Sequence, residues 1–281
     1  MRMEVRNVCQ TVCNNEVPEV TICSKRHEKG DNKKMLVFMA RQHPGEVWSS
    51  YMAYGFMKTF LKSISEVTYL LEHYIIKIFP MVNVDGVIYG NFRCDATGVD
   101  LNRRWKEPSK VFHPQVHDIK RKIANYHKRY KVEVCMDLHG HSKNYNVFCY
   151  ACKTNSYTCR VLPLLIEAQN HMFHMPSCTF GLTRDKETTA RAAISKIIKS
   201  ENVLTIETSS YGHRIGLEPR AYNPLDIYKM ADGITIALRY FVDKKSEQYT
   251  NSEKEIRDNF AKYQNFDKQN EDESGSDSAP E

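Results

Sequence analysis

The chain has 281 residues, 41% of them hydrophobic, with 40 Lys+Arg against 34 Asp+Glu for a formal charge of +6. That composition excludes wholesale disorder, and no run approaches the roughly 20 apolar residues that cross a bilayer. The charge is unevenly spread: residues 246–281 hold ten acidic and four basic side chains and carry −6, so residues 1–245 carry +12. A body this basic favours an acidic partner, which composition alone leaves as nucleic acid, anionic membrane or an acidic protein tail. Residues 1–25 contain no apolar signal-peptide core, so the chain is expected in the cytosol or nucleus, with its nine cysteines as reduced thiols.

In chain order, apolar β-branched runs predict strands over 17–23 and 35–40, the second leading into a helix over 46–63. A strand over 74–80 precedes a long Gly/Asn-rich stretch, a helix over 114–130 and a strand over 132–138. A strand over 145–150, helices over 159–172 and 188–199, a strand over 202–207 and a helix over 224–242 follow. The last helix has a clear start: Asn223 can cap it, Pro224 suits its first turn, and Asp226 suits the positive end of its dipole. This alternation predicts an α/β fold with a mixed, largely parallel sheet and helices on both faces. Residues 1–245 read as one domain and 246–281 as an acidic tail, a frayed helix over 247–263 and disorder from about Gln264.

Four segments carry chemistry. His43 and Glu46 stand three apart where the strand over 35–40 exits, close enough to reach one metal ion, although His-x-x-Glu alone also reads as a polar loop with a helix-starting Glu. His139 follows the apolar run 132–138, at the carboxyl end of a strand, where open α/β sheets place their sites. Two His and one carboxylate with a fourth position open form the ligand set of catalytic zinc. Glu207 ends another apolar strand, where desolvation raises a carboxyl pKa towards the range of a general base. The stretch from Asn83 to Trp105, with Arg93, Asp100, Asn102 and Arg103, reads by itself as a Gly/Asn-rich loop with solvated arginines.

Taken together, these segments resemble the M14 metallocarboxypeptidases, and among them the cytosolic carboxypeptidases, which trim glutamates from protein C-termini, notably tubulin. The matching motifs are His-Pro-Gly-Glu at 43–46, Asn-x-Asp-Gly-Val at 83–87, Asn-Phe-Arg-Cys at 91–94 and Gly-Val-Asp-Leu-Asn-Arg at 98–103. Asp-Leu-His-Gly-His-Ser at 137–142, Thr-Ala-Arg at 189–191 and Thr-Ile-Glu at 205–207 complete an ordered set running from about Val5 to about Tyr240.

The resemblance implies one zinc ion per chain on His43, Glu46 and His139, with Glu207 as general base and Arg93 stabilising the oxyanion. It further implies that Asn102 and Arg103 grip the terminal carboxylate and that Asp100 orients a ligand imidazole. Arg191, sixteen positions before Glu207, would face the acidic side chain being removed, although it also reads as a surface arginine on the helix over 188–199. The implied enzyme is a cytoplasmic, microtubule-associated monomer acting on acidic tails such as polyglutamylated tubulin, with neither membrane nor nucleic acid as partner. Two other readings are an aspartoacylase-type zinc amidohydrolase and an inactive module that binds acidic tails.

Val84 stands where the family usually has Pro, and the β-rich domain that precedes the catalytic domain in cytosolic carboxypeptidases does not appear ahead of residue 1. The chain therefore reads as a minimal form, a fragment, or a sequence missing its first part. Cys149 and Cys152 read as strand-end thiols, and the basic run 120–130 as a solvated face or a surface for acidic tails. The C-terminal residues, ending in Glu281, are expected to visit the basic cleft and compete weakly with substrate.

Overall fold

Apolar sequence on both faces drives four strands to the middle of one sheet: β3 (Lys34–Ala40), β4 (Tyr74–Phe79), β5 (Val132–His141) and β7 (Val203–Ser209). They run parallel to their neighbours among these four, and antiparallel strands extend the sheet on either side. These are β1 (Arg2–Gln10) and β2 (Glu16–Cys23) beyond β4, and β6 (Val147–Tyr150) beyond β7, giving the order β1-β2-β4-β3-β5-β7-β6. A separate ribbon joins β8 (His213–Ile215) to β9 (Glu218–Arg220). This is a computed structural model, and it describes residues 1–25, 33–153, 155–216 and 218–274.

Because successive strand residues face opposite ways, the sheet feeds two cores. Leu36, Phe38 and Ala40 pack with α1 (Val47–Phe60), α2 (Ser65–His73), α5 (Val161–Gln169) and α7 (Pro224–Val242). Met35, Val37 and Met39 pack with α4 (Pro114–Tyr130) and α6 (Ala190–Ile198) on the other face. A five-residue helix, α3 (Val84–Ile88), starts the long loop after β4. The α7 start is a full capping box: the Asn223 side chain accepts from the Leu225 and Asp226 amides, and the Asp226 carboxylate accepts from the Asn223 amide at 3.0 Å.

Several elements differ from expectation. β1 is a mostly exposed edge strand, so its sequence lacks the apolar pattern that marks a buried one, and α2 begins with no side-chain cap. After α8 (Glu247–Asp258), α9 (Phe260–Ser274) continues ten residues past Gln264, where polarity predicts disorder. Asp267 explains this: its carboxylate is 1% exposed and ion-paired with the buried Arg160, whose guanidinium lies 4.3 Å from the Phe180 ring centre. Residues 275–281, including the C-terminal Glu281 expected to visit the cleft, lie outside the described residues.

Candidate active site

At the carboxyl ends of β3 and β5 the chain brings His43, Glu46 and His139 together. β3 ends at Ala40, and Arg41 takes a left-handed φ of 61°, turning the backbone sharply. The Arg41 side chain braces the loop it starts, donating from Nε to the Pro44 carbonyl at 2.7 Å and from Nη1 to Ser50 Oγ at 2.9 Å. Glu46 occupies the N-cap of α1 but makes no side-chain cap bond. Its carboxylate instead meets His43 Nδ1 at 2.6 Å and His139 Nδ1 at 2.9 Å, and accepts from the Gly140 amide at 2.9 Å. Gly140 is needed for that approach, since a Cβ there would lie 3.0 Å from the Glu46 Cβ.

One candidate ligand atom from each of the three residues lies within 4.8 Å of the other two. The far nitrogens are both held by carboxylates: His43 Nε2 meets Asp100 at 3.0 Å and His139 Nε2 meets Asp137 at 2.9 Å. Each ring is thereby oriented with Nδ1 towards the shared centre, the carboxylate–histidine arrangement of zinc sites. Two imidazole nitrogens and a carboxylate also match the donor set of catalytic zinc, so the residues present fit that ion.

The same carboxylates set the charge balance. Burial disfavours imidazolium at His139, but Asp137 and Glu46 outweigh it and hold its pKa well above the usual histidine value. His43 is raised too, its bonds to Asp100 and Glu46 overcoming burial. Burial would raise Glu46, yet the two histidines pull it well below the carboxylate range.

Glu207 comes from β7, in direct register with His139 on β5. Its Oε2 is buried without a hydrogen-bond partner, and burial pushes its pKa up to about 7 against the opposing pull of His139. Arg191 enters from the first turn of α6, which Thr189 caps by accepting from the Ala192 amide. The Arg191 side chain is buried, donates to the Ala151 carbonyl at 2.6 Å and lies 5.5 Å from the Tyr150 ring centre. No carboxylate is within ion-pair distance of it among the described residues, so the surface-arginine reading gives way to a buried cation whose pKa burial lowers.

The remaining predicted residues gather at Asp100, the cap of a 3-10 turn over Leu101–Arg103. The Arg93 guanidinium pairs with the Asp100 carboxylate at 2.7 Å, and Arg103 lies 4.0 Å from it. Asn102 Oδ1 accepts from the Ala190 amide at 2.9 Å, and its Nδ2 lies 3.4 Å from His139 Nε2. The sequence reading assigned no role to Asp137 or Gln42. Gln42 is fully buried, its Nε2 donating to Asp137 at 2.6 Å while its Oε1 accepts from the Trp105 indole at 2.7 Å. Asp137 was legible in principle, because i and i+2 on a strand share a face and so Asp137 lies beside His139. Gln42 leaves no such signal.

Residues 1–236 match the zinc carboxypeptidase family, peptidase family M14. Among curated proteins, the bovine (Bos taurus) cytosolic carboxypeptidase 3 is 31% identical over 275 residues, 94% of this chain and 27% of its own length. The human (Homo sapiens) cytosolic carboxypeptidase 1 is 33% identical over 231 residues, 73% of this chain and 19% of its own. The chain therefore spans less than a third of the length of these curated relatives. Among solved structures, a metallo-carboxypeptidase from Burkholderia cenocepacia superimposes with a TM-score of 0.76 at 20% identity, covering 87% of this chain and 66% of that one. That likeness shows the fold. No described helix is long and apolar enough to cross a membrane.

Proposed function

This chain belongs to the M14 zinc carboxypeptidases, and we propose that it removes glutamate from the C-termini of acidic protein tails of the tubulin kind, as a cytoplasmic, microtubule-associated monomer. The observation that carries the specificity is Arg191: a buried guanidinium, one residue after the Ala190 amide that holds Asn102 next to His139, with no carboxylate in ion-pair range among the described residues. Burying an unpaired cation is costly, and a substrate carboxylate would relieve that cost.

His43, Glu46 and His139 would hold the zinc ion, whose chemistry there is Lewis acidity towards the scissile carbonyl. Glu207, poised near neutrality, takes a proton from the attacking water and passes it to the leaving amine. Arg93, oriented by Asp100, steadies the charge that develops on the carbonyl oxygen. Asn102 and Arg103 take the terminal carboxylate, and Arg191 pairs with the side chain of the departing glutamate.

The test uses the full chain loaded with zinc and a peptide ending in a run of glutamates, followed by mass spectrometry. Loss of one glutamate at a time is expected. Internal fragments, or equal release of leucine from a Leu-ended peptide, would overturn the proposal.

A further inference from the structure

One exposed cation seven residues after Glu207 has no task in the catalytic reading. Arg214 is exposed, and its guanidinium stands 4.3 Å from the centre of the Tyr145 ring. That ring lies 5.8 Å from Tyr211, which is 55% exposed. No carboxylate is in ion-pair range of Arg214 among the described residues.

The backbone beneath these side chains is heavily braced. Asn146, at a left-handed φ of 71°, donates its amide to the Gly212 carbonyl at 2.8 Å and accepts at its own carbonyl from the Ser209 amide at 3.1 Å. Its side-chain oxygen accepts from the Arg214 amide at 2.7 Å, so one residue ties the approach to β6, the end of β7 and β8. The Ser210 amide donates to the His141 carbonyl at 2.7 Å, and the Tyr211 amide to Ser209 Oγ at 3.0 Å. Gly212 has φ of 108°, and a Cβ there would fall 1.9 Å from the Arg220 carbonyl oxygen, so only glycine closes β8 against β9. A cation held over an aromatic face by a fixed backbone, and left without an acid, is arranged to receive an anion.

The register of β6 against β7 gives the position. Phe148 pairs with Glu207. Tyr145 lies three residues before Phe148, and Ala151, whose carbonyl holds Arg191, lies three after it. The ledge and the Arg191 pocket therefore lie beyond opposite ends of β6, on either side of the pair that Phe148 makes with the general base. A peptide with its C-terminal side chain at Arg191 would run its upstream part past Glu207 towards Arg214.

We propose that Tyr145, Tyr211 and Arg214 form a subsite for an acidic side chain upstream of the scissile bond. Arg214 pairs with the carboxylate while the two tyrosines flank the chain. The protein then reads a run of acidic residues rather than the last one alone. This rests on the carboxypeptidase reading above, and the test separates the two.

The zinc-loaded full chain carrying Glu207→Gln, which keeps the pocket without turnover, is titrated into two labelled peptides and followed by fluorescence anisotropy. One peptide ends in a run of glutamates; the other keeps only the last glutamate, the upstream ones being alanine. The run is expected to bind about fivefold more tightly, and added Arg214→Ala should erase that preference while leaving the alanine peptide's Kd unchanged. Arg214→Lys should recover part of the preference, and Tyr211→Ser should reduce it. Equal affinity for both peptides, or equal weakening of both by Arg214→Ala, overturns the subsite while the terminal pocket stands. Binding of neither peptide overturns both readings.

Discussion

Two buried clusters of charge in this molecule are built on opposite plans. Between β2, β4 and α4, the Glu19 carboxylate is 1% exposed and every contact it makes is complementary. It accepts from Lys122 Nζ at 2.9 Å and from the Tyr126 hydroxyl at 2.5 Å, with Lys77 Nζ at 3.6 Å. Lys77 in turn donates to Thr21 at 2.7 Å. At the candidate active site, among the described residues, Glu207 Oε2 and Asp137 Oδ1 are buried without hydrogen-bond partners, and Arg191 is buried with no carboxylate in ion-pair range. Native interiors rarely leave such groups unsatisfied, and the exceptions concentrate where a ligand completes the site. The satisfied cluster is therefore expected to govern stability, and the incomplete one chemistry.

The sharpest way to break this contrast is Glu207→Gln. Loss of the proposed general base should cut kcat by about 10²–10⁴-fold. Thermal unfolding should give an unchanged or higher Tm, because the substitution removes a charge that burial already disfavours. For the active chain, kcat/KM should rise with pH along a limb with its midpoint at or below about 7, since the proposed base would work only when ionised and a dication on the His–Glu–His cluster would favour that form. A large fall in Tm with kcat preserved would reverse the assignment.

Glu19→Ala is the mirror experiment. It leaves Lys77 and Lys122 without their counter-ion and should cost on the order of 3–5 kcal/mol of stability, with kcat little changed in the protein that remains folded. The pH dependence has a definite sign. Burial alone would raise the Glu19 pKa, but Lys77, Tyr126 and Lys122 prevail and it lies below its unfolded value of 4.5. Its stabilisation is therefore complete above about pH 4.5 and is lost as pH falls through the folded value. Denaturant titrations should show the wild-type advantage at neutral pH and its decline in acid.

The contrast also marks what the sequence could and could not reveal. His43, Glu46, His139 and Glu207 stand at strand ends inside short motifs, where a polar residue interrupts an apolar run, so their positions were legible. The bounds of α4 and α7 were legible because Pro starts both and amphipathic spacing sustains them. Glu19 and Lys77 look like outward-facing positions on ordinary strands, and nothing local tells that α4 covers them. Gln42 and Asp137 depend on partners 63 and 2 residues away respectively, Trp105 and His139, and only the first distance hides the contact. Past Gln264 composition describes a chain too polar to fold, yet one buried pair, Arg160 with Asp267, holds α9 in place. Pattern reports averages over a segment, whereas a single long-range contact reports a pair.

Arg191 lies between the two plans, since its cation is buried like Glu19 yet incomplete like Glu207. Its pKa is lowered by burial, and among the described residues no carboxylate is bonded to it in compensation. Were it structural, Arg191→Ala would mainly unfold the protein by releasing the Ala151 carbonyl and the Tyr150 ring. As a specificity residue it should instead alter the ratio of kcat/KM for C-terminal Glu over C-terminal Leu. Losing one charge-assisted, buried pair of about 1.5–3 kcal/mol corresponds to a fall in that ratio of about 10–100-fold. The ratio is the deciding quantity because loss of folded protein cancels from it. Equal losses on both substrates would remove Arg191 from the pocket, and its burial would then belong with the satisfied cluster.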